Sequence, residues 1–196
     1  MYILIEGMPV TGKSALAHYL ANVTNSQYLK SVISDTEYGK LLKNYTTIAS
    51  KQIEVFFQVD LLLDELRIQK LYDNNNIIRD KSWLSTIAHL KTHGFENNEP
   101  LIQNIIECGY ELLKEYAIMP DLIVYMKPDY EKIKQMMSHK DDLSTIDRYL
   151  IENFDLYKKQ NNELWCAINK LPCKILVMES FTDTIENMSK KIMENV

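Results

Sequence analysis

The chain has 196 residues, enough for one domain with a sizeable core. Its 22 basic and 27 acidic residues leave a net charge of −5, which excludes broad charge-driven binding to DNA, RNA or an anionic membrane and allows only a small local basic site. No apolar stretch approaches a transmembrane helix and the N-terminus has no signal-peptide layout. Cys108, Cys166 and Cys173 are an odd set without C-x-x-C spacing. They predict free thiols in a reducing cytoplasm rather than disulfides or metal ligands.

Taken in chain order, Tyr2-Ile3-Leu4-Ile5 is an apolar run of strand type. Gly7-Met8-Pro9-Val10-Thr11-Gly12-Lys13-Ser14 follows and matches G-x-x-x-x-G-K-[ST]. From Ser14 to Ala21, the residues Ala15, Leu16, Ala17 and Leu20 have helical spacing, so the motif stands between a strand and a helix. Two glycines let successive N–H groups turn inward towards phosphate oxygens, and the helix N-terminus adds positive potential at the same place. The motif expects Lys13 at the β/γ phosphates of a nucleoside triphosphate and the Ser14 hydroxyl on Mg²⁺.

Tyr28 to Ile33 predicts a second strand, and Ile48 to Tyr72 a long buried helix, ended by the Asn74-Asn75-Asn76 turn. Ile77-Ile78 is a short strand delivering Arg79-Asp80-Lys81-Ser82. Trp83 to Leu90 predicts a helix ended by His93-Gly94, and Pro100 opens another. Leu122 to Met126 predicts a buried strand stopped by Pro128, with Asp129 capping a helix to about His139. Asp147 to Asn169 predicts one continuous helix, Lys174 to Met178 the last strand, and Thr182 the cap of the terminal helix.

Strands alternating with helices predict an α/β domain over residues 1–196, without repeats or internal linkers. The expected architecture is a three-layer P-loop NTPase fold: a doubly wound parallel sheet of about five strands with helices on both faces. On such sheets ligands sit beyond the carboxyl ends of the strands. The polar segments Gly7 to Ser14, Ser34 to Glu37 and Asp80 to Ser82 therefore converge. A GTPase would need an Asn-Lys-x-Asp segment, and Asn169-Lys170-Leu171-Pro172 lacks the Asp. His89 and His93 have zinc-ligand spacing, but no Glu follows the first and no third ligand is apparent.

Glu6-Gly7 at the loop entrance, Thr36-Glu37 after the second strand, Phe57-Gln58 in the long helix and Asp80-Lys81-Ser82 after the third strand share an order with a known group. In these motifs the sequence resembles the deoxynucleoside kinase and thymidylate kinase family, and the element order agrees from end to end. The resemblance implies Glu37 as the base for a sugar hydroxyl, with Asp35 as its substitute. It implies Phe57 and Gln58 at the acceptor base, Asp80 beside Mg²⁺, and Lys81 on acceptor and phosphoryl oxygens. A lid around 137–148 would supply Arg148 or Lys140. The implied partners are ATP, Mg²⁺ and a nucleoside or nucleotide, with no nucleic acid or membrane, in a monomer or homodimer.

Three positions depart from the family. Lys81 replaces an arginine and lacks its bidentate fork. The lid holds only His139, Lys140 and Arg148 among Asp141, Asp142 and Asp147. Glu65 stands where an arginine often helps read the base, with Arg67 two residues on. Residue chemistry alone leaves other readings open: Glu37 as a helix cap, Gln58 bonded to backbone, and Phe56, Phe57, Tyr38, Trp83 and Tyr149 as packing. Three functions follow in order: a kinase of a deoxynucleoside or other nucleoside, a thymidylate-type monophosphate kinase, and a nucleotide-binding regulatory module with weak catalysis.

Overall fold

The computed structural model describes residues 1–30, 51–72, 75–93, 100–137, 149–150 and 152–196, with the side chains of 51–61, 90, 93, 100–103, 105–106, 110 and 137 left out. The elements are β1 (Tyr2–Gly7), α1 (Lys13–Val23), β2 (Gln27–Lys30), α2 (Lys51–Tyr72), β3 (Ile77–Asp80) and α3 (Trp83–His93). They continue with α4 (Pro100–Tyr116), β4 (Leu122–Lys127), α5 (Tyr130–Met137), α6 (Phe154–Ile168), β5 (Lys174–Glu179) and α7 (Ile185–Met193). The strands form one sheet in the order β2-β3-β1-β4-β5. Every pairing is parallel. This is the doubly wound P-loop NTPase architecture expected from the alternation of elements.

Side chains alternate across the sheet as the strand period requires. Ile3, Ile5, Ile78, Leu122, Val124 and Met126 pack on one face against Leu16, Ala17 and Leu20 of α1 and Met188 and Ile192 of α7. Tyr2, Leu4, Ile77, Ile123 and Tyr125 face the other way, towards Ile68 of α2, Leu84 and Ile87 of α3, Leu113 of α4, Ile133 of α5 and Leu164 and Ile168 of α6. All six residues of β1 are buried, as befits a central parallel strand covered on both faces. Because β1 sits between β3 and β4, its carboxyl end carries the phosphate loop to the middle of the sheet edge.

Several sequence expectations need correction. The helix predicted from Asp147 to Asn169 is not continuous. Residues 149, 150 and 152 are helical, and that helical segment ends at Asn153, whose N–H and side-chain amide both donate to the Tyr149 carbonyl, at 3.0 and 2.9 Å. Asn153 (φ −110°, ψ 68°) then starts α6 as its N-cap residue. A side chain that satisfies its own backbone neighbourhood competes with the helix ladder, which is why asparagine marks the break. Thr184, not Thr182, caps α7: its Oγ1 accepts from Asn187 N–H at 3.2 Å, while Thr182 Oγ1 donates to the Glu179 carbonyl. Asp129 caps α5 as expected, accepting from Lys132 N–H at 3.2 Å. The part of the second strand predicted beyond Lys30 lies outside the described residues.

Candidate functional site: the phosphate loop and the end of β3

Gly7 and Gly12 occupy the two positions where the loop needs glycine. Gly7 has φ +154°, and a Cβ there would meet the Met126 carbonyl oxygen of β4 at 2.9 Å. Gly12 has φ +85° and serves as the N-cap residue of α1. Gly12 itself has no side chain to cap that helix, and among the described residues nothing lies within 4 Å of a Cβ placed on it. The first amides of α1 thus receive no acceptor from their cap residue, which suits an anion at a helix N-terminus. Between the glycines, Val10 adopts φ +67°, an unfavourable region for a β-branched residue.

Hydrogen bonds hold the loop from below. The Met8 carbonyl accepts from Thr11 Oγ1 at 2.9 Å and from Lys13 Nζ at 3.2 Å. Lys13 is 6% exposed, folded over its own loop. The Pro9 carbonyl accepts from the buried Tyr157 hydroxyl of α6 at 2.8 Å, tying the loop to the far helical layer. Ser14 is exposed in the first turn of α1.

The end of β3 is joined to β1 through Glu6. Glu6 is fully buried, and its Oε1 accepts from the Ser82 N–H at 2.8 Å and the Ser82 hydroxyl at 2.6 Å. Its Oε2 accepts from the Ser85 hydroxyl at 2.5 Å. Burial raises the Glu6 carboxyl above its ordinary value, against the pull of the Ser82 and Ser85 hydrogen bonds and nearby Lys81. Lys81 N–H donates to the Ile5 carbonyl at 3.0 Å, and Lys81 takes φ +68°. Asp80 is the last residue of β3 rather than the first after it. It is 2% exposed; its Oδ2 accepts from the Tyr28 hydroxyl at 3.2 Å, and its Oδ1 has no hydrogen-bond partner among the described residues. Phosphate loop, Asp80 and Lys81 thus converge at adjoining strand ends.

One group escaped the sequence reading. Arg79, fully buried, donates to Asp64 Oδ2 at 2.5 Å, Glu65 Oε1 at 2.7 Å and the Tyr2 hydroxyl at 3.2 Å. Arg67 NH2 also lies 3.0 Å from Asp64 Oδ1, an ion pair without hydrogen-bond geometry. Burial raises the Glu65 carboxyl, with the Arg79 guanidinium opposing it. Burial works against the Arg79 charge but is outweighed by Tyr2, Glu65 and Asp64, which hold it firmly protonated. Glu65 is therefore a partner of the sheet, linking α2 to β3. The readable signals were Arg79 inside a buried strand and two adjacent acids within an apolar helix.

The backbone of Phe57 and Gln58 lies in α2 as expected, but their side chains lie outside the described residues, as do Asp35, Glu37, Lys140 and Arg148 entirely. Among the described residues no group of three or more His, Cys, Asp or Glu could hold a metal ion. Ser14 with Asp80 nevertheless fits Mg²⁺, which commonly takes one or two protein oxygens and completes its shell from phosphates and water. The partnerless Asp80 Oδ1 is suited to that chemistry. No helix among the described residues is long and apolar enough to cross a membrane.

Neither a family model nor a curated protein matches the sequence. Solved structures do match its fold. A deoxyadenosine kinase from M. mycoides with bound dATP superposes with a TM-score of 0.75 at 15% identity, covering 99% of this chain and 98% of that one. A thymidylate kinase from Ehrlichia chaffeensis gives 0.60 at 17% identity, covering 99% and 96%. The YorR protein from Bacillus subtilis, in complex with phosphorylated GDP, gives 0.56 at 17% identity, covering 99% and 94%. The chain thus has the P-loop fold shared by deoxyadenosine kinase and thymidylate kinase.

Proposed function

We propose that this protein is an ATP-dependent phosphotransferase acting on a nucleoside, with a deoxynucleoside as first choice. The observation that carries this reading is the N-terminus of α1 behind Gly12, which has no side chain of its own to cap it, set beside the Glu6-locked Asp80-Lys81-Ser82 segment. The first site suits a triphosphate and the second brings an acid and a cation next to it. Similarity in fold to the deoxyadenosine kinase, whose structure contains dATP, supports the nucleoside as acceptor.

In this reading the α1 amides and Lys13 receive the donor's β/γ phosphates, and Lys13 leaves the Met8 carbonyl to do so. Ser14 and Asp80 would hold Mg²⁺, which when bound offsets negative charge on the phosphates. Lys81, fixed by its N–H bond to Ile5 and by Ser82, presents a cation to the transferred phosphoryl group, joined by Arg148 or Lys140 from the lid. Gln58 and Phe57 orient the acceptor base, and Glu37 receives the proton of the acceptor hydroxyl. The exposed thiols of Cys108 and Cys166 suit a reducing cytoplasm.

The deciding experiment is transfer from labelled ATP to panels of nucleosides and nucleoside monophosphates. Phosphorylation of a nucleoside, with Glu37→Gln lowering kcat by about 10²–10⁴-fold, upholds the reading. A large loss in Asp35→Asn instead would move the base by two residues. Transfer to monophosphates alone, indifferent to both changes, would establish a thymidylate-type kinase, to which the match with the Ehrlichia chaffeensis enzyme gives support. Nucleotide binding without transfer to any acceptor would leave a regulatory module.

A further inference from the structure

The Asp80 side chain lies on the α1 face of the sheet, because Ile78 belongs to the α1 cluster while the intervening Arg79 reaches Tyr2 on the opposite face. There one carboxylate oxygen accepts from the Tyr28 hydroxyl at 3.2 Å, and the other is buried without a hydrogen-bond partner among the described residues. Tyr28 stands on β2 in register with Ile78, so its ring leans along the sheet towards the strand ends. The ring stacks on His18 of α1, with centroids 3.7 Å apart and planes inclined by 26°. His18 follows Ser14 by four residues, one helical turn further along the same face of α1. A contact path therefore runs from the face of α1 that bears Ser14, through His18 and Tyr28, to Asp80.

A carboxylate held by one hydrogen bond loses the free rotation that would interchange its oxygens. We infer that Tyr28 is a positioning residue for Asp80: its hydroxyl commits Oδ2 and leaves Oδ1 to face the Mg²⁺ or its bound water, while His18 fixes the Tyr28 ring. This rests on Ser14 and Asp80 being the metal-side residues of the proposed kinase. The geometry differs from plain packing of β2 on α1, which requires the ring but not the hydroxyl.

Tyr28→Phe keeps the ring and the stack and removes only the hydroxyl. Mn²⁺ binding in the presence of a non-hydrolysable ATP analogue, read from the free Mn²⁺ resonance, gives a signal independent of turnover. The expected result is an Mn²⁺ dissociation constant raised about tenfold, within the usual range for a residue behind a metal ligand. Acceptor KM should stay near wild type, and Tyr28→Phe should add no further loss to Asp80→Asn. Unchanged Mn²⁺ affinity, whatever the melting temperature, would reduce Tyr28 to a structural residue, and additive losses in the double variant would also overturn the inference. Absence of Mn²⁺ binding by the wild-type nucleotide complex would remove Asp80 from the metal side and the inference with it. If that complex binds Mn²⁺ but phosphorylates no acceptor, the kinase reading fails, while the Mn²⁺ titrations of the variants still decide on Tyr28.

Discussion

The phosphate loop and the β3–α2 junction meet at the same strand ends but are built by opposite means. The loop is held by mostly local bonds to backbone carbonyls: the Thr11 hydroxyl and the Lys13 ammonium to Met8, with Tyr157 to Pro9 as the long-range tie. The junction is held by fully buried charges brought together from afar, Arg79 with Asp64 and Glu65, and Glu6 with Ser82 and Ser85. A loop of the first kind can rearrange around a ligand at little cost. A junction of the second kind cannot, because any buried charge left unpaired is expensive. Changes in the junction should therefore lower stability, and changes in the loop should lower function.

The largest effect is expected at Arg79. Arg79→Met leaves Asp64 and Glu65 buried without their cation and should cost about 3–5 kcal/mol in urea unfolding. Replacing Arg79, Asp64 and Glu65 together with apolar residues of similar volume should restore much of that loss. A cost below about 1 kcal/mol for the single change would break the contrast.

Next comes Glu6. Glu6→Ala strands the Ser82 amide and two hydroxyls and should cost about 2–3 kcal/mol in the same measurement. Glu6→Gln keeps the two Ser82 bonds, and the Ser85 hydroxyl can turn to face the amide. Burial raises the Glu6 carboxyl above its ordinary 4.5, so the folded state holds this proton more tightly than the unfolded state does. Its contribution is fully present below pH 4.5 and is lost as pH rises through the folded-state value. Stability of Glu6→Gln relative to wild type should therefore increase as pH is raised from about 4 to 7. A constant difference across that range would show that burial does not perturb Glu6.

Lys13→Ala should sit at the other end. Because this lysine is proposed to face the ligand, stability should stay within about 1 kcal/mol of wild type while phosphoryl transfer disappears. Unchanged turnover would remove Lys13 from the site. The smallest effect belongs to Val10→Gly, where relief of the φ +67° strain roughly offsets the extra flexibility of the unfolded chain. Its unfolding free energy should lie within about 0.5 kcal/mol of wild type. A much larger loss would mean that the Val10 side chain, rather than its backbone, secures the loop.

The same contrast explains what could be read from the sequence. The place of the glycine loop between β1 and α1 was legible because its motif fills eight consecutive positions, and strands and helices were legible from periodicity. Parallel order followed from alternation of the two. The Arg79 cluster joins residues 14 and 15 positions apart with one 77 positions away, and no local pattern announces such a meeting. Glu65 was consequently read as an arginine missing from a base site rather than as the partner of Arg79. The α6 break was readable in principle, since Asn153 with Asp155 two residues later is a helix start, but apolar periodicity on both sides masked it. Thr182 and Thr184 both suit a cap, and only the backbone geometry after β5 chooses between them.

The strand order also has a consequence for synthesis on the ribosome. β1 is made early, yet its neighbours β3 and β4 come much later in the chain. The Tyr2 amide finds its partner in Asp121, 119 residues away, and Gly7 rests against the Met126 carbonyl. At about 5–20 residues per second, translation leaves roughly 6–24 s between making Tyr2 and making Asp121. Through that interval an apolar strand and a glycine loop wait in the nascent chain without their sheet. The sheet around this loop cannot close until β4 has been made, so the segment of earliest synthesis is among the last to be packed.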